Sequence, residues 1–506
     1  MRSTPGGQNR FWDARRAAFV GSNRGGRSLS PRLTLFTACL ALFVSTLDNT
    51  VANVALPQIG RSFHASAAEL EWVVDSYLVV RGCLLLSAGV LSDRFGRRRT
   101  FLFGLGTFGL GSLCCSLSPS AELLIASRVL QAIGGCFLVP SSLAMIADAY
   151  PSTARRARAI GVWNSTTALS TGLGPAVGGL LVVTLGWRSV FWVNLPIVAV
   201  AAALVAWGLE AKQGDATRGL DFPGQAWIVV VLVSVTVGFI ETSQAGWGDS
   251  LVICMFIVCA VALGGFLVTE HRARYPLLSP ALFRSRQFSG AAIIATTGFI
   301  VYTGFLFINT LYLQDVRGYS ALVAGLVVVP TSLGNLVVTR AAGRLTAARG
   351  PGLPVRIACV NMAIGTAALS LLVTRHPPVW ALIAAYLFIG SGAGMLNTPL
   401  TSAAMSGLPR ERTGVAGAVT STFRQVGNCV GVALLGSLAL AQIPRLQRSR
   451  FSDPQVLSEP ARRAVDQAFT HGLQYAYWAA CSIAIVSLVI AVLSFSEPDS
   501  ATPPPD

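Results

Sequence analysis

Charged residues are scarce in this sequence. Asp, Glu, Lys and Arg together make up 12% of its 506 residues, which is about half of the roughly 25% that soluble proteins carry. Hydrophobic residues make up 53% of the chain. Because a soluble fold of this length cannot bury so much apolar surface, the composition excludes a soluble enzyme, a disordered protein and a disulfide-rich secreted domain.

The patterns of common metal and cofactor sites are also missing. The 10 cysteines form no C-x-x-C pair and all lie in apolar runs, which argues against a metal site or a disulfide framework. The sequence has no Ser/His/Asp set, no Gly-Lys phosphate loop and no His-x-x-x-His pair, so we expect no cofactor, no metal ion and no use of ATP. The formal charge of +16 is spread over many loops, and we therefore expect no nucleic-acid partner.

Long apolar runs dominate what is present. A helix needs about 20 apolar residues to cross a bilayer, and fourteen such runs lie between turn-rich breaks. The seventh and eighth runs look weaker than the others, which leaves twelve as the competing count. The predicted spans are 33–54, 70–91, 100–118, 122–147, 158–184, 187–209, 224–241, 250–270, 288–312, 320–340, 355–374, 379–400, 413–440 and 472–495.

The basic residues predict the orientation of these spans. With an even number of spans, both chain ends lie on the same side of the membrane. If that side is the inside, the inside segments hold most of the 38 Lys and Arg residues, as the positive-inside rule requires. We therefore expect a multi-pass protein of the cell (plasma or inner) membrane with both termini in the cytoplasm. The histidines fall in loops, which leaves the carboxylates as proton carriers within the bilayer.

A repeated loop divides the chain into two halves. Residues 89–96 and 343–350 both fit G-x-L-x-x-x-x-G, and each follows the second span of a six-span block. Internal repeats of this kind are typical of secondary transporters. The predicted organisation is an Arg-rich cytoplasmic tail at 1–32, a six-helix half at 33–210, two linker spans with cytoplasmic loops within 211–286, a second six-helix half at 287–495 and a cytoplasmic tail at 496–506.

Six sequence motifs together resemble those of one family. They lie at 47–57 in the first span, 89–98 after the second, 128–135 in the fourth, 172–179 in the fifth, 187–196 at the sixth and 424–427 in the thirteenth. In this order and on these spans, they resemble the motifs of the fourteen-span drug:proton antiporters of the major facilitator superfamily. One departure is Ser170, where the fifth-span motif often begins with glycine, but serine is also small.

The resemblance implies an all-α integral membrane protein with the major facilitator fold, in which two six-helix halves and two extra central helices make fourteen transmembrane helices. It implies a secondary active exporter that exchanges lipophilic, cationic drugs or toxic metabolites for protons by alternating access. The alternative within transport is a dedicated exporter of a single endogenous metabolite or antibiotic. A non-transporting receptor or an intramembrane enzyme is disfavoured, because the sequence has neither a large soluble domain nor a catalytic polar cluster. We expect small molecules, protons and the lipid bilayer as partners, and a monomer as the functional unit.

Three charged residues within spans are the candidates for proton coupling or cation binding, namely Asp48, Asp75 and Arg128. A charge at the centre of a span costs about 2.5–3.5 kcal/mol, so such residues rarely persist without a role. A carboxyl that ionises when a cation arrives and is protonated when it leaves is sufficient for antiport. Either acid can pair with Arg128. A structural role stays open for all three, whereas Glu241 and Asp315 fall at span ends and are expected at the membrane interface.

A substrate cavity is expected between the two halves. Aromatic rings with an acid nearby suit a lipophilic cation through cation–π contact, although each ring by itself is equally consistent with the lipid interface. Arg424 lies near the middle of the thirteenth span. It is the candidate counterpart, in the second half, of Arg128 in the first half. The candidate cavity residues are Asn49, Trp72, Tyr77, Gln131, Phe305, Asn309, Tyr312, Arg424 and Gln425.

Two segments are candidates for conformational gating. The glycines of the 89–99 loop allow a tight turn and a close approach of helices, and Asp93 can accept from backbone amides at a helix N-terminus. The resemblance implies that this loop locks the outward-facing state, with Arg97 or Arg98 paired to Asp148; the alternative is that its arginines only anchor the topology. Glycines of the fifth span permit close helix packing, and a proline kinks that helix. The candidate gating residues are Gly89, Asp93, Arg94, Gly96, Arg97, Arg98, Asp148, Gly174, Pro175, Gly178 and Gly179.

Overall fold

The computed structural model describes residues 30–150, 152–208, 221–273, 283–374, 377–405, 413–442 and 459–495. These residues form helices and short connections, with no strand among them. The predicted tails, up to residue 29 and from residue 496, fall outside the described residues. Each predicted apolar run falls on one of the helices given below.

The first half of the chain begins its helices with regular capping groups. The Ser30 hydroxyl accepts a hydrogen bond from the backbone N–H of Leu33, and Ser66 forms a capping box with Glu69. The helix α6 starts with a single turn before it continues from Asn194. The helices are α1 Pro31–Phe63, α2 Ala67–Phe95, α3 Arg97–Leu117, α4 Ala121–Ala149, α5 Thr153–Leu185 and α6 Ser189–Gly208.

Two linker helices precede the helices of the second half. The linker helices are α7 Phe222–Ala245 and α8 Ser250–Arg272. The second half consists of α9 Arg286–Leu311, α10 Ala321–Arg349, α11 Gly352–Leu372, α12 Val379–Met405, α13 Thr413–Leu440 and α14 Glu459–Ser494. The helix α9 runs directly into a π-helical turn, Tyr312–Val316, a rare element that often marks functional sites.

Thirteen of the described helices are long and apolar enough to cross a membrane. The helix α2 is not counted among them, so a total of fourteen spans stays a prediction. The expectation that the seventh and eighth runs are the weak ones was wrong. Both α7 and α8 belong to the thirteen, and α8 is the most apolar of them, because the other helices leave most of its surface exposed to lipid.

The helices pack mainly within each half. In the first half α1 packs against α4 and α5, and α3 runs along α4; in the second half α10 and α11 both pack against α12, and α9 runs along α13. Helices in lipid approach closely where small residues meet. A Cβ on Gly134 of α4, for example, would lie 2.6 Å from the carbonyl oxygen of Gly104 in α3.

The linker helix α7 contacts both halves. It packs against α2 and α13, and α8 packs on its other side. Gln225 of α7 donates to the carbonyl oxygen of Cys83 in α2 at 2.7 Å, and the Thr236 hydroxyl lies 2.9 Å from the Cys429 thiol in α13. The sequence predicted the linker helices but not this position between the halves.

The halves are closed against each other at one end of the bundle. We call the end at which α1 begins the tail side and the opposite end the far side. Towards the far side, Ser332 of α10 donates to the carbonyl oxygen of Thr171 in α5 at 3.0 Å, and a Cβ on Gly179 would lie 2.5 Å from the carbonyl oxygen of Ala321. Towards the tail side of α5, a Cβ on Gly161 would meet no atom within 4 Å.

An ion pair joins the halves at the far side. Arg61, near the end of α1, lies 3.5 Å from Asp315 in the π-helical turn, and Gln314 of the same turn donates to the carbonyl oxygen of Val54 at 2.9 Å. The side chain of Asp315 is only 4% exposed, and its position at the membrane interface stays a prediction. The π-helical turn continues α9 and carries Asp315 into the contact between the halves.

Candidate functional site

Asp48 lies at the centre of a buried polar cluster in the first half. Its carboxylate accepts from Arg128 Nη1 at 2.5 Å, from Gln131 Nε2 at 2.8 Å and from Asn194 Nδ2 at 2.7 Å. The Ser112 hydroxyl accepts from Gln131 Nε2 at 2.7 Å. These side chains come from α1, α3, α4 and α6, and each is 0% exposed. We call them the Asp48 cluster.

The guanidinium group of Arg128 is held from several directions. Besides Asp48, it contacts α2, where Nε donates to the carbonyl oxygen of Val73 at 3.1 Å and its carbon lies 4.3 Å from the centroid of the Tyr77 ring. Only Nη2 has no hydrogen-bond partner among the described atoms. A buried guanidinium needs a carboxylate and carbonyl oxygens, and of the two predicted partners Asp48 is the one that Arg128 contacts.

Asp75 lies apart from the Asp48 cluster and faces the second half. It is 0% exposed, and neither of its carboxyl oxygens has a hydrogen-bond partner among the described residues. Glu71, one turn earlier on α2, is also 0% exposed and also has no hydrogen-bond partner for either carboxyl oxygen among the described residues. Its Oε1 would lie 2.6 Å from a Cβ on Gly436 of α13. Sequence reasoning missed Glu71, although an acid four residues from Asp75 falls on the same helix face.

Two arginines from opposite halves approach each other elsewhere on α2 and α13. Arg81 donates to the Tyr77 hydroxyl at 3.4 Å, while its Nε has no partner among the described atoms. Arg424 donates to Asn397 Oδ1 at 2.5 Å, and its guanidinium carbon lies 5.6 Å from the centroid of the Phe299 ring. The two guanidinium groups are close enough to interact electrostatically. Arg424 is half-buried whereas Arg128 is completely buried, and it bonds an amide where Arg128 bonds a carboxylate.

Three predicted cavity residues on α9 and the turn after it are packed in the closed interior. Phe305 and Tyr312 are 0% exposed and Asn309 is 1% exposed. The Tyr386 hydroxyl donates to Asn309 Oδ1 at 2.6 Å, and the Tyr312 hydroxyl donates to the carbonyl oxygen of Thr374 at 2.6 Å. In this conformation these residues tie α9 to the neighbouring segments of the second half.

The remaining predicted cavity residues are divided between several places. Tyr77 and Gln131 belong to the surroundings of Arg128, whereas Asn49, Trp72 and Gln425 are half-buried. That the predicted set lines one common cavity stays a prediction. A small cavity lies between the halves towards the far side, and its lining includes Thr50, Pro175, Leu313, Gln314, Gly325 and Ser332.

The arginines after α2 reach helices of the first half. Arg97 Nη1 lies 2.5 Å from Asp148 Oδ1 at the end of α4 and donates to the carbonyl oxygen of Ala144 at 2.9 Å. Arg98 Nη2 donates to the carbonyl oxygen of Ala206 in α6 at 2.8 Å. Of the two arginines predicted to pair with Asp148, Arg97 is the one that does so.

The turn in this motif is shorter than expected. The helix α2 continues to residue 95, so Gly89 lies inside it, where a Cβ would be 3.8 Å from Pro140 Cβ, and the expectation that Gly89 forms part of the turn was wrong. Gly96 alone separates α2 from α3, with a φ of 90° that favours glycine. Arg94 is exposed. The side chain of Asp93 falls outside the part of the chain that the structure describes.

Three glycines of α5 lie in tight contacts with other helices. A Cβ on Gly174 would overlap a threonine side chain of α1, and a Cβ on Gly178 would lie 3.1 Å from the α1 backbone. Gly179 faces α10, and Gly325 of α10 lies against the backbone of Pro175. This face joins α5 both to its own half and to the second half, as expected of a small-residue helix interface.

Two helical halves that meet at an interface with buried acids and arginines define a secondary membrane transporter. The family model of the Major Facilitator Superfamily matches residues 38–432. The chain belongs to this superfamily, and its predicted all-helical major facilitator fold is thereby confirmed.

Its relatives include drug-resistance proteins. The multidrug resistance protein Stp of Mycobacterium tuberculosis (strain CDC 1551 / Oshkosh) is 36% identical, over 82% of this chain and 78% of that protein. The methylenomycin A resistance protein of Streptomyces coelicolor is 35% identical, over 81% of this chain and 86% of that protein. The tetracenomycin C resistance and export protein of Streptomyces glaucescens is 30% identical, over 94% of this chain and 93% of that protein. The chain is a membrane transporter of this group.

Solved structures agree with the fold. A bacterial homolog of the human lysosomal transporter Spinster, in an inward-facing and unoccupied conformation, has a TM-score of 0.62 at 18% identity and covers 92% of this chain and 96% of its own. A bacterial homologue of the human drug peptide transporters PepT1 and PepT2 has a TM-score of 0.62 at 13% identity and covers 92% of this chain and 99% of its own. At these identities the likeness concerns the fold alone.

Proposed function

We propose that the protein exports lipophilic, mainly cationic, drugs or toxic metabolites in exchange for protons. The names of its relatives, which include a multidrug resistance protein and an export protein, support this substrate class. The observation that carries the proton exchange is the buried and unpartnered Asp75 between α2 and α13. In this proposal the protein acts as a monomer in the cell membrane, its tail side faces the cytoplasm, and both termini lie there.

In this proposal Asp75 couples protons to the conformational change, because the closed interface disfavours the ionised form of its carboxyl group. A carboxylate without hydrogen-bond donors is costly in an interface that excludes water. Closure at the far side therefore favours protonated Asp75, and loss of the proton favours opening to the far side. Protons that enter from the far side and leave on the tail side then drive substrate in the opposite direction.

The other predicted site residues support this movement. The Asp48 cluster keeps its carboxylate satisfied by three donors, so we assign it to holding the first half together as a rigid unit. The glycine face of α5 lets that helix seal against α10 at the far side. The Arg97–Asp148 pair ties the turn between α2 and α3 to α4 on the tail side.

A second candidate substrate class follows from Arg81 and Arg424. Guanidinium groups bind carboxylates and phosphates through paired hydrogen bonds, and no ion pair found among the described residues involves either arginine. Two such groups from opposite halves suit a substrate with an acidic group. This observation favours the alternative within transport, a dedicated exporter of a single acidic compound.

The deciding experiment measures uptake into inside-out membrane vesicles with and without an imposed proton gradient. Ethidium serves as the cationic probe and fluorescein as the acidic probe. We expect gradient-dependent uptake of ethidium by the wild type and a strong fall of this uptake in Asp75→Asn. The matched control is Glu122→Gln, which removes an exposed acid at the start of α4 and should transport as the wild type does.

Each alternative has its own outcome. Gradient-driven uptake of ethidium that Asp75→Asn leaves at the wild-type level moves the coupling to another acid. Gradient-driven uptake of fluorescein alone, lost in Arg424→Gln, replaces the cation exporter with the exporter of an acidic compound. Uptake of neither probe under any gradient contradicts the broad drug-exporter proposal.

A further inference from the structure

Glu71 and Asp75 form a pair of acids on one face of α2. They are four residues apart, which places their side chains one above the other on the helix. Both are 0% exposed. None of their four carboxyl oxygens has a hydrogen-bond partner among the described residues.

The surroundings of the pair are uncharged and tightly packed. A Cβ on Gly436 of α13 would lie 2.6 Å from Glu71 Oε1 and 3.0 Å from the Phe307 ring of α9. Asp75 lies close enough to Cys429 of α13 to interact with its thiol. A Cβ at 436 would crowd both the Glu71 carboxyl and the Phe307 ring, so an organic cation has no space here in this conformation.

The bonded charged groups on and around α2 have their partners elsewhere. None of them donates to Glu71 or Asp75 in the described part of the chain. They include Asp48 on α1 with Arg128 on α4, Arg97 on α3 with Asp148 on α4, Glu69 with its capping partner Ser66, Arg81 with Tyr77, and Arg424 on α13 with Asn397.

Two ionised carboxylates cannot share this place. Each would lack donors in an interface without water, and each would repel the other one turn away. Closure of α2 against α13 therefore favours the neutral form of both acids. Because α2 belongs to the first half and α13 to the second, both protons favour closure of the far side, and their loss favours its opening.

We propose that Glu71 and Asp75 form a two-proton site, so that the transporter carries two protons in each cycle; this rests on the proton exchange proposed above. Each carboxylate gains an O–H bond from a proton that enters from the far side when the halves separate there. Each gives up that proton towards the tail side before the far side opens again. The organic substrate binds elsewhere, since the closed pair leaves it no room.

The test measures the substrate gradient that a proton gradient sustains. The purified full chain is placed in proteoliposomes with a difference of one pH unit, the membrane potential is held at zero, and ethidium is followed until net flux stops. With each proton contributing a factor of about ten per pH unit, two protons sustain a ratio of about 100. We expect about 100 for the wild type and for Glu122→Gln, and about 10 for Glu71→Gln.

The outcomes separate this inference from the function on which it rests. A wild-type ratio of about 10, or a ratio of about 100 that Glu71→Gln leaves unchanged, overturns the two-proton site while proton exchange stands. A ratio that does not respond to pH in any protein contradicts the proton exchange itself. Exchange of labelled for unlabelled ethidium at equal pH checks that Glu71→Gln is folded, because this exchange moves no net protons.

A second measurement needs no substrate. The infrared C=O stretch of protonated carboxyls in the detergent-solubilised protein should disappear as the pH is raised. We expect Glu71→Gln and Asp75→Asn each to lose about half of this buried signal and the double variant to lose all of it, whatever the order in which the coupled pair titrates. A signal that Glu71→Gln does not reduce overturns the inference.

Discussion

Arg128 and Asp48 form an ion pair of 2.5 Å, and both side chains are completely buried. Gln131 and Asn194 complete the bonding of this carboxylate, and all four residues belong to the first half. Asp75 differs in both respects, because it lacks a partner among the described residues and faces the second half. This contrast predicts different results when each acid is neutralised.

We expect Asp48→Asn to lower the free energy of unfolding by about 3–5 kcal/mol, because removing one partner of a buried ion pair leaves an uncompensated charge on Arg128. The measurement is thermal unfolding in detergent. Asp75→Asn removes no bonded partner and should unfold in the wild-type range. An Asp48→Asn variant as stable as the wild type would contradict the structural role of the Asp48 cluster.

The Arg97–Asp148 pair should matter more for movement than for stability. Its side chains are 33% and 37% exposed, and exposed ion pairs contribute about 0–1 kcal/mol. We therefore expect Asp148→Asn to leave thermal unfolding nearly unchanged. Arg97→Asp should slow ethidium uptake by bringing two acids together, and the charge-swapped double variant Arg97→Asp, Asp148→Arg should recover part of the rate. Equal rates in the single and double variants would show that the pairing is unimportant.

Gly179→Val should hold the far side open. Even the Cβ of the new side chain would lie 2.5 Å from the carbonyl oxygen of Ala321, so α5 and α10 could not close together. The readout is a cysteine placed at Gln314, in a background without the 10 native cysteines, and its reactivity with a membrane-impermeant maleimide from the far side. Gly161→Val is the control, since a Cβ there meets no atom within 4 Å, and it should leave the reactivity unchanged.

Asp315→Asn should have a smaller effect in the same assay. Arg61 and Asp315 are 3.5 Å apart, and the Arg61 side chain is 51% exposed, so the pair is expected to contribute no more than about 1 kcal/mol. The open population should therefore rise at most about fivefold. A rise as large as that of Gly179→Val would mean that this ion pair, and not helix packing, keeps the far side closed.

Helix positions were far more predictable than helix ends. The apolar runs located each helix, because the thickness of the bilayer sets the length of a span. The ends depend on capping groups and on contacts outside the apolar region. Thus α1 continues to Phe63, nine residues beyond the predicted 54, and α14 begins at Glu459 rather than near 472.

The candidate site was predictable only in part. The residues around Arg128 were identified from motifs, but Ser112 carried no signal of its own, and Asn194 belonged to a motif without an assigned role. Glu71 had a signal in its spacing from Asp75. The predicted cavity residues lie in several different places in the structure. The sequence could not show this, because it does not tell which side of a helix faces the other half.

By itself the sequence determined the membrane-spanning helical class, the order of the motifs, and which acids and arginines lie within the helices. The tertiary structure alone decided that Arg128 bonds Asp48 and that Glu71 and Asp75 face α13 without partners. The physical reason is that periodicity defines the faces of one helix, whereas the partner of a face comes from a helix far away in the chain. The rotation of each helix about its axis depends on close contacts such as the one at Gly436. These contacts exist only once the helices have packed.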